Sequence, residues 1–353
     1  MYNDCMLRIG PFEFDFPVVQ AALSGYSDLP MRLIARRAGA PYALSEVVLD
    51  KIVIAPGKLR RRLFDLHEDD HPVGGQLMGS KPEQFAEAAA QMAEAGFDVI
   101  DINFGCPVNK VLGRCRGGYL LSDPPVAIDI LRRVRGAVPK AIPVTLKMRR
   151  GMDDSAESER DFFRILDAAW SLGLDAVTVH GRTVRQKYVG PSRWEFLARV
   201  KKLAGERIVL GSGDLFSADS IVQMLERTGV DGVTVARGCI GNPWIFGEAR
   251  ALLAGKPLPP PPNVAEQGRV IREHFHLSQA AHGELSGRLM RKFGIRYSAL
   301  HPCGERVRGA FVRCSTETEW LAVLDEWYDP GRDWPTFDRE TPPDRSLESC
   351  VCS

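Results

Sequence analysis

The stretch VGGQLMGSKPEQFAEAAAQMAEAGFDVIDIN, residues 73–103, decides the fold of this chain. It opens with a short apolar run over 73–77 and closes with a second over 99–103. Between these runs, residues 82–95 form an amphipathic stretch with a helical period. Short apolar runs that are nearly continuous are typical of parallel strands buried on both faces. The stretch therefore predicts a strand, a helix and a second parallel strand.

The same alternation extends in both directions, from the N-terminus to about residue 250. Eight β-α units in this length suit a closed (β/α)8 barrel, the TIM barrel of the α/β class, better than a doubly wound sheet. We therefore expect a TIM barrel domain over residues 1–255. The predicted strands are 18–22, 42–46, 73–77, 99–103, 144–148, 176–180, 208–211 and 232–236, and further helices are predicted at 125–138, 158–172 and 218–228.

The composition changes after the predicted barrel. Residues 256–263, KPLPPPPN, form a stiff spacer of the polyproline type. Residues 264–330 carry long helical patterns without a convincing strand, which predicts a small C-terminal helical domain. Residues 331–353 are rich in proline and polar residues, and a flexible tail is expected there.

The overall charge restricts the possible partners. The chain has 353 residues and a formal net charge of +1, which argues against a protein that coats nucleic acid, so RNA contacts should be local. There is no apolar run of bilayer length, and the first residues, MYNDCMLRIGPFEFDF, lack the features of a signal peptide. We expect a cytoplasmic monomer without a membrane partner.

The eight cysteines are expected to be reduced in that compartment. No pair has the C-x-x-C spacing of a zinc or redox site, so neither a metal centre nor a disulfide framework is expected. Cys350 and Cys352 fall in the tail. Small buried hydrophobes are the expected state of Cys115, Cys239, Cys303 and Cys314.

Polar residues end nearly every predicted strand, at the edge of the barrel where active sites of this fold lie. We call this edge the rim. A single polar residue there has an ordinary explanation as a cap or loop hydrogen bond, but convergence of eight positions favours an active site. The positions are Ser24, Ser45 with Glu46, Gln76, Asn103, Lys147, His180, Ser212 with Gly213, and Arg237 with Gly238.

The last two loops indicate a phosphate. GSGD at 211–214 and ARG at 236–238 place glycines where backbone N–H groups can approach a phosphate, although glycines also serve ordinary turns. Lys147 could supply positive charge beside an electron-rich ring, form a Schiff base, or pair with a buried acid. A flavin fits the set better than a sugar phosphate, because amide and imidazole groups suit the edge of a ring.

The fourth loop provides a candidate acid. In DINFGCPVNKVLGRCRGGYLL, residues 101–121, Cys106 stands three residues after Asn103 and just before Pro107. An unperturbed thiol has a pKa of about 8.5 and can act as a general acid near neutrality. The neighbouring cations Lys110, Arg114 and Arg116 would lower that pKa and attract a polyanion.

These motifs resemble the tRNA-dihydrouridine synthases, especially the bacterial B-type. DINFGCPVNKV is similar to the family's signature around its catalytic cysteine, and VTLKMRRG, VTVHGRTVRQKY, GSGDL and ARGCIGNPWIF follow in the family's order. The resemblance covers about 17–328. It is weaker at 21–28, where AALSGYSD replaces A-P-M-A-G-x-T-D, and Ser212 and Ala236 stand where asparagine and glycine are common.

The resemblance implies a barrel that carries FMN, reduced by NADPH, and a helical domain that helps to grip tRNA. Hydride would pass to C6 of a flipped-out uridine while Cys106 protonates C5. The resemblance leaves the position of that uridine open. The FMN site would comprise Ala22, Gln76, Lys147, His180, Ser212, Gly213, Asp214, Ala236, Arg237 and Gly238. The substrate would contact Asn103, Lys110, Arg182, Arg291, Lys292 and Arg296.

Two basic clusters could contact RNA. Residues 287–313 carry seven cations against one acid, Glu305, which indicates either a phosphate-binding surface or an ordinary solvated helix face. KLRRR at 58–62 is the second cluster. Four acids that follow it in sequence could neutralise it, namely Asp65, Glu68, Asp69 and Asp70.

Three alternative functions remain open at this point. A small-molecule FMN oxidoreductase related to dihydroorotate dehydrogenase shares the last two loops but leaves the basic helical domain unexplained. A Schiff-base aldolase that uses Lys147 would need no flavin. A non-catalytic tRNA-binding protein would bind RNA without reducing it.

Overall fold

The architecture is given by a computed structural model that describes residues 6–335 and residue 337. Cys5, Cys350 and Cys352, with the rest of the predicted tail over 338–353, lie outside the described residues. The chain begins with β1 (Leu7–Ile9) and β2 (Phe12–Phe14), which form an antiparallel hairpin. The sequence does not predict this hairpin, because strands of three residues are too short for an alternating pattern to be recognised.

Eight parallel strands close into a barrel. Each is hydrogen-bonded to the next along the chain, and the last pairs with the first through Val233 and Val18. The predicted TIM barrel is confirmed. Its strands are β3 (Val18–Gln20), β4 (Ala43–Leu44), β6 (Val73–Met78), β7 (Val99–Phe104), β8 (Val144–Arg149), β9 (Ala176–His180), β10 (Val209–Ser212) and β11 (Gly232–Val235).

The second barrel strand is interrupted. After β4 the chain leaves the sheet, and it returns as β5 (Val48–Leu49), which pairs with β6 where Val48 lies opposite Leu77. The break places Glu46 at the rim, where its carboxylate accepts a hydrogen bond from the backbone N–H of Gly25. The predicted strand 42–46 therefore includes this break as well as β4.

Helices cover the outside of the barrel, and several begin at a side-chain cap that satisfies a free backbone N–H. Asp28 caps α1, Asp123 caps α6, Ser155 caps α7 and Ser217 caps α9. The helices are α1 (Leu29–Arg37), α2 (Asp50–Ile54), α3 (Lys58–Leu63), α4 (Pro82–Glu94), α5 (Asn109–Leu112), α6 (Pro124–Ala137), α7 (Ala156–Ser171), α8 (Trp194–Ala204), α9 (Ala218–Thr228) and α10 (Ile245–Leu253).

The inside of the barrel is apolar at one end and polar at the other. Near the N-terminal ends of the strands, the hairpin packs Leu7 and Phe14 against Val19, Val99 and Leu210 in one buried cluster. This cluster closes the floor of the barrel. From the middle of the barrel to the C-terminal ends of its strands, the buried residues include Gln76, Asp101, Asn103, Thr145 and Thr178. Buried polar groups are costly without partners, so this half must contain an internal hydrogen-bond network.

A helical unit follows the spacer, and the predicted C-terminal helical region is confirmed. We use the name helical unit for residues 264–330. Its core contains Phe275, Phe293, Phe311 and Trp320, all fully buried. Beyond it, Trp334 lies edge-on to His301, with ring centroids 4.8 Å apart. The helices are α11 (Val264–His282), α12 (Ser286–Tyr297), α13 (Gly304–Arg313) and α14 (Glu317–Trp327).

The helical unit docks against α1 and the loop that precedes it. His282, the last residue of α11, lies 2.9 Å from the Asp28 carboxylate, which also caps α1. The Lys292 ammonium donates to the carbonyl of Gly25 in the first loop of the rim. The helical unit therefore stands beside the rim. Among the described residues, none of the helices has both the length and the apolar character needed to cross a bilayer.

Candidate active site

The polar residues that the sequence places at strand ends meet inside the C-terminal half of the barrel. Neighbouring strands pair so that Gln76 lies opposite Asp101 and Asn103 lies opposite Lys147. His180 ends β9 and lies opposite Ser212 of β10. Side chains on a strand alternate between its faces, so residues matched in this register point to the same side. The rim therefore brings five of the predicted residues together.

A chain of hydrogen bonds runs from the middle of the barrel to the rim. Thr145 donates to Asp101 Oδ1 at 2.5 Å, and Gln76 Nε2 donates to Asp101 Oδ2 at 2.6 Å. Asn103 Nδ2 in turn donates to Gln76 Oε1 at 2.7 Å. Because Asp101 only accepts when ionised, it determines which way both amides face. Sequence reasoning did not single out Asp101, although it stands two residues before Asn103 on the same face.

This chain of hydrogen bonds ends at the backbone of Cys106. Oδ1 of Asn103 accepts hydrogen bonds from the N–H groups of Gly105, at 2.9 Å, and Cys106, at 3.1 Å. Such a local side-chain bond stabilises a tight turn. The Cys106 side chain is half-buried. The strand end thus fixes the turn that carries the thiol.

Two glycines pack directly against Cys106. Gly117 has a φ of +56°, and a Cβ at this position would lie 2.8 Å from the Cβ of Cys106. Gly118 donates its N–H to the Cys106 carbonyl at 3.0 Å, and a Cβ there would lie 2.6 Å from Val184. The GGYLL sequence therefore allows the fourth loop to fold back over the cysteine.

Arg149 ties the cysteine loop to the loop after β9. Its Nε donates to the Gly105 carbonyl at 2.9 Å, and its Nη1 donates to the Thr183 carbonyl at 2.9 Å and the Lys187 carbonyl at 2.6 Å. The side chain is 2% exposed. Sequence reasoning missed this residue, but its position two residues after Lys147 on the same strand face could have identified it.

Lys147 and His180 differ in charge near neutral pH. Burial lowers the pKa of Lys147 to about 8, and the Asp101 carboxylate opposes this effect, so the ammonium is mostly protonated at pH 7. Its Nζ donates to Ser212 Oγ at 3.2 Å. Burial, with the positive charge of Arg149 and Lys147, lowers the pKa of His180 well below its usual range. The imidazole is therefore neutral and can either donate or accept a hydrogen bond.

The two glycine loops lie against each other. Gly213 has a φ of +113°, and a Cβ there would lie 2.8 Å from Cδ2 of His180. A Cβ on Gly238 would overlap the carbonyl oxygen of Leu215 in the neighbouring loop. Both glycines are thus needed for close packing. Arg237 lies over the Tyr188 ring, 4.6 Å from its centroid.

Asp214 and Arg182 form an ion pair that holds the loop after β9. Their charged atoms lie 2.8 Å apart, and the Asp214 carboxylate also accepts from the Ser192 N–H at 2.7 Å. Arg182 donates to the Gly190 carbonyl and is 4% exposed. These contacts give both residues a structural role beside the predicted ligand contacts. Ala236 follows β11 directly and is half-buried.

The other predicted substrate residues occupy different places. Lys110 is exposed in α5, and Arg291 is half-buried in α12. Lys292 contacts the Gly25 carbonyl and lies 4.9 Å from the centre of the Tyr26 ring, so it joins the helical unit to the barrel. Arg296 packs its backbone and Cβ against Gly241. Among the predicted cofactor residues, Ala22 is half-buried and packs against the cluster at the barrel floor.

The remaining cysteines differ in burial. Cys239 and Cys314 are buried, and burial raises their pKa values to about 12 and about 11. Cys303 is half-buried. Cys115 is exposed, with a φ of +54°, so its expected burial is wrong. Cys115 lies in the loop that follows α5 and faces solvent. A loop has no apolar period, so the sequence pattern could not predict whether this side chain is buried or exposed.

The fold resembles that of several solved structures, which include an old yellow enzyme homologue and a dehydrogenase. The old yellow enzyme homologue of Zymomonas mobilis matches 72% of this chain and 93% of its own, with a TM-score of 0.53 and 15% identity. Histamine dehydrogenase of Rhizobium sp. 4-9 matches 78% of this chain and 51% of its own, with a TM-score of 0.56 and 15% identity. At such low identity, these likenesses concern the fold alone.

The sequence comparisons go further than the fold. The family model described as dihydrouridine synthase (Dus) matches residues 19–329. This range includes the barrel strands from Val19 of β3 onward and the whole of α11–α14.

Two relatives illustrate the similarity over nearly the whole chain. A probable tRNA-dihydrouridine synthase of Mycobacterium tuberculosis (strain ATCC 25618 / H37Rv) is 36% identical over 329 residues, which cover 90% of this chain and 84% of the relative. The tRNA-dihydrouridine synthase B of Xanthomonas campestris is 35% identical over 327 residues, 92% of this chain and 96% of the relative. The chain therefore belongs to the dihydrouridine synthase family and is an oxidoreductase.

Proposed function

We propose that this protein is an FMN-dependent tRNA-dihydrouridine synthase, which uses NADPH to reduce the C5–C6 double bond of a uridine in tRNA. One observation carries the proposal. The turn that bears Cys106 is fixed through Asn103 to the same rim that holds Lys147, His180 and the two glycine loops. A proton donor and a set of groups suited to a flavin therefore share one end of the barrel.

The residues of the rim fit FMN by their chemistry. Lys147 is a cation inside the barrel, and His180 is a neutral imidazole that can donate to or accept from a ring edge. Gly213, with its positive φ, lets the seventh loop pack closely against His180. Arg237 supplies a positive charge at the start of the eighth loop. These groups suit an electron-rich ring at one end and a phosphate at the other.

FMN held by these residues would supply the hydride for C6 of the uridine, with NADPH as its reductant. The protein must supply the proton for C5, and the Cys106 thiol is the proposed donor. Cys106 stands on a turn held by Asn103, covered by Gly117, and braced by Arg149 through Gly105. A rigid donor in a fixed position lowers the entropic cost of reaching the transition state. Thiols are also sufficiently protonated near neutrality to act as general acids.

Asn103 is proposed to orient the base with the part of its amide that remains available. Its Oδ1 accepts two backbone hydrogen bonds, and one hydrogen of Nδ2 is donated to Gln76. The second hydrogen of Nδ2 can still donate to a carbonyl of the uracil ring. Gln76 similarly keeps one hydrogen of Nε2 for a ligand. The buried network thus leaves donors, rather than acceptors, for ligands at these two positions.

The helical unit is proposed to hold the RNA backbone. Arg291 and Arg296 of α12 are half-buried, and Lys110 in α5 is exposed near the cysteine loop. Lys292 and Arg182 are proposed to hold the surfaces beside the RNA in place. Lys292 does so at the junction between the barrel and the helical unit, and Arg182 does so in the loop after β9. Charged groups near phosphates make binding dependent on salt, which a binding experiment can measure.

The test combines cofactor and substrate. The purified protein should release FMN on denaturation and, with NADPH, convert uridine to dihydrouridine in unmodified tRNA, as measured by mass spectrometry of the nucleosides. A colourless protein that is inactivated by borohydride in the presence of a carbonyl substrate would instead indicate a Schiff base on Lys147. A flavoprotein that leaves tRNA unreduced contradicts the proposed substrate.

A further inference from the structure

A cluster of cations on α3 lies outside the proposed active site. Lys58, Arg60, Arg61 and Arg62 occupy four of the six positions of this helix, and we call them the α3 cation cluster. Lys58, Arg61 and Arg62 are exposed, and the Arg60 guanidinium lies 5.1 Å from the centre of the Phe64 ring. The protein as a whole has a net charge of only +1. The positive charge here is therefore a local feature.

Among the described residues, the acids that follow α3 in sequence form no ion pair with the cluster. Asp70 is fully buried and forms an ion pair with Arg32, whose Nε and Nη2 donate to Oδ2 of Asp70 at 2.9 and 2.6 Å. Asp69 lies 3.8 Å from His67. Over residues 6–335, no ion pair joins Asp65, Glu68, Asp69 or Asp70 to the cluster. The tertiary structure thus separates charges that are adjacent in sequence.

The cluster lies between the barrel and the helical unit. Nη2 of Arg62 contacts Nδ1 of His282, whose Nε2 lies 2.9 Å from the Asp28 carboxylate. His282 ends α11, and the exposed Arg288 stands in the first turn of α12 that follows. The α3 cation cluster and the basic helix α12 therefore flank the same turn of the helical unit.

The position of α3 along the chain also relates it to the rim. Helix α2 follows β5 directly, at the C-terminal end of the interrupted second strand, and α3 begins after a short connection. An extended polyanion that is bound both at the rim and along α12 passes the junction between the two units. Exposed cations without ion pairs among the described residues match its charge at that junction.

We propose that the α3 cation cluster is a second contact for the phosphate backbone of the RNA substrate, on the barrel side of the junction. This inference rests on the proposed function, because the substrate is taken to be RNA. It adds a surface on the barrel to the basic face of the helical unit. Phosphate contacts of this kind fix the position of an RNA without reading its sequence.

The test uses Lys58→Gln with Arg61→Gln. Both side chains are exposed, and neither has a hydrogen bond or ion pair among the described residues, so the fold should not depend on them. Lys140→Gln with Lys202→Gln is the matched control. These two lysines are also exposed, but they precede β8 and β10 and so lie at the opposite end of the barrel. The two variants lose the same charge.

Binding of an unmodified tRNA transcript is measured from about 50 to 200 mM salt. The α3 variant should lose about two units from the slope of log K against log salt, about one for each phosphate contact, while the control keeps the native slope. Its affinity should fall on the order of tenfold at 0.1 M salt. FMN content and kcat at saturating tRNA should stay native, because neither residue contacts the rim.

An unchanged slope in the α3 variant contradicts the proposal, and so does an equal change in the control. The proposal is also overturned if the α3 variant keeps the native tRNA slope but loses binding to phosphatidylserine vesicles, because the cluster would then serve a membrane surface. Failure of the proposed function gives a different result. In that case the native protein reduces no uridine, whereas a slope that depends on α3 still supports an RNA-binding surface.

Discussion

The backbone N–H of Cys106 donates to Oδ1 of Asn103 at 3.1 Å, so the position of the thiol depends on the orientation of an amide three residues earlier. That amide is held by Gln76, and Gln76 is held by Asp101. A residue inside the barrel thereby determines the geometry of a loop at the rim.

Asp101→Leu should reduce kcat far more than it weakens tRNA binding. The change removes the acceptor for Gln76 and Thr145, and each buried donor left without a partner costs about 1–3 kcal/mol. The amides of Gln76 and Asn103 are then free to rotate, and the Cys106 turn loses its fixed geometry. Steady-state kinetics and tRNA binding measure the two effects separately.

Asp101→Asn is the matched variant for this prediction. An asparagine can accept from Gln76 through its Oδ1 and donate through its Nδ2 to the Thr145 hydroxyl, so it can preserve the amide orientation. We expect it to recover most of the kcat lost in Asp101→Leu. Equal losses in both variants would show that the ionised carboxylate acts in some other way than by orienting the amides.

FMN affinity should fall as the pH rises above about 8. The pKa of Lys147 is lowered to about 8 without the cofactor, and a negatively charged ligand favours the protonated form. Binding above that pH must therefore take up a proton, and the affinity decreases in proportion. Titration calorimetry of the apoprotein in buffers of different ionisation enthalpy measures the proton uptake.

The Cys106→Ala background removes the thiol, so that it takes no part in the measured proton uptake. In that background, Lys147→Met should bind FMN more weakly and without the pH dependence between about 7.5 and 9.5. Lys202→Met, at an exposed position, should retain the native dependence. A native affinity that is constant across this range would show that Lys147 does not contact the cofactor.

Gly117→Ala should lower kcat while leaving FMN binding intact. A Cβ at this position would lie 2.8 Å from the Cβ of Cys106, and the φ of +56° is unfavourable for alanine. The cysteine must shift, and a displacement of about 1 Å can cost on the order of a hundredfold in rate. Gly113→Ala in the same loop is the control, because its Cβ would lie at an ordinary 3.4 Å from Asn109. Similar rates for both variants would contradict this packing.

Gly294→Ala should destabilise the helical unit, although alanine is the better helix former. The new Cβ would lie 2.6 Å from the Phe311 ring and 2.9 Å from Trp320. Overpacking costs about 1–3 kcal/mol, which exceeds the gain of about 1 kcal/mol in helix propensity. Gly309→Ala in α13 meets only the Arg313 side chain, at 3.9 Å, and should be stabilising. Denaturant midpoints decide the prediction, and a higher midpoint for Gly294→Ala would contradict it.

The sequence predicts the barrel because its long strands are buried on both faces and leave continuous apolar runs. β6, β7 and β8 match their predicted ranges closely for this reason. The break between β4 and β5 is not predicted, since two-residue segments carry no periodic signal. The same limit applies to the hairpin of β1 and β2, whose role in closing the barrel floor arises from tertiary packing.

The candidate site was only partly predictable. Residues such as Asn103 and Lys147 end apolar runs, and this is visible in sequence. The network through Asp101 and the bracing role of Arg149 depend on the strand register, which the sequence does not specify without the fold. Lys292 belongs to a basic cluster in sequence, but only the packing of α12 on the first loop shows that it contacts the Gly25 carbonyl.

The most direct test of the central claim compares native protein with Cys106→Ala in a single turnover. Each protein is loaded with FMN, reduced with NADPH without oxygen, and mixed with unmodified tRNA, and dihydrouridine is measured over time by mass spectrometry. We expect the variant to bind FMN and tRNA normally but to form dihydrouridine about 10²–10⁴-fold more slowly, the usual contribution of a general acid. Formation at the native rate would show that Cys106 is not the proton donor.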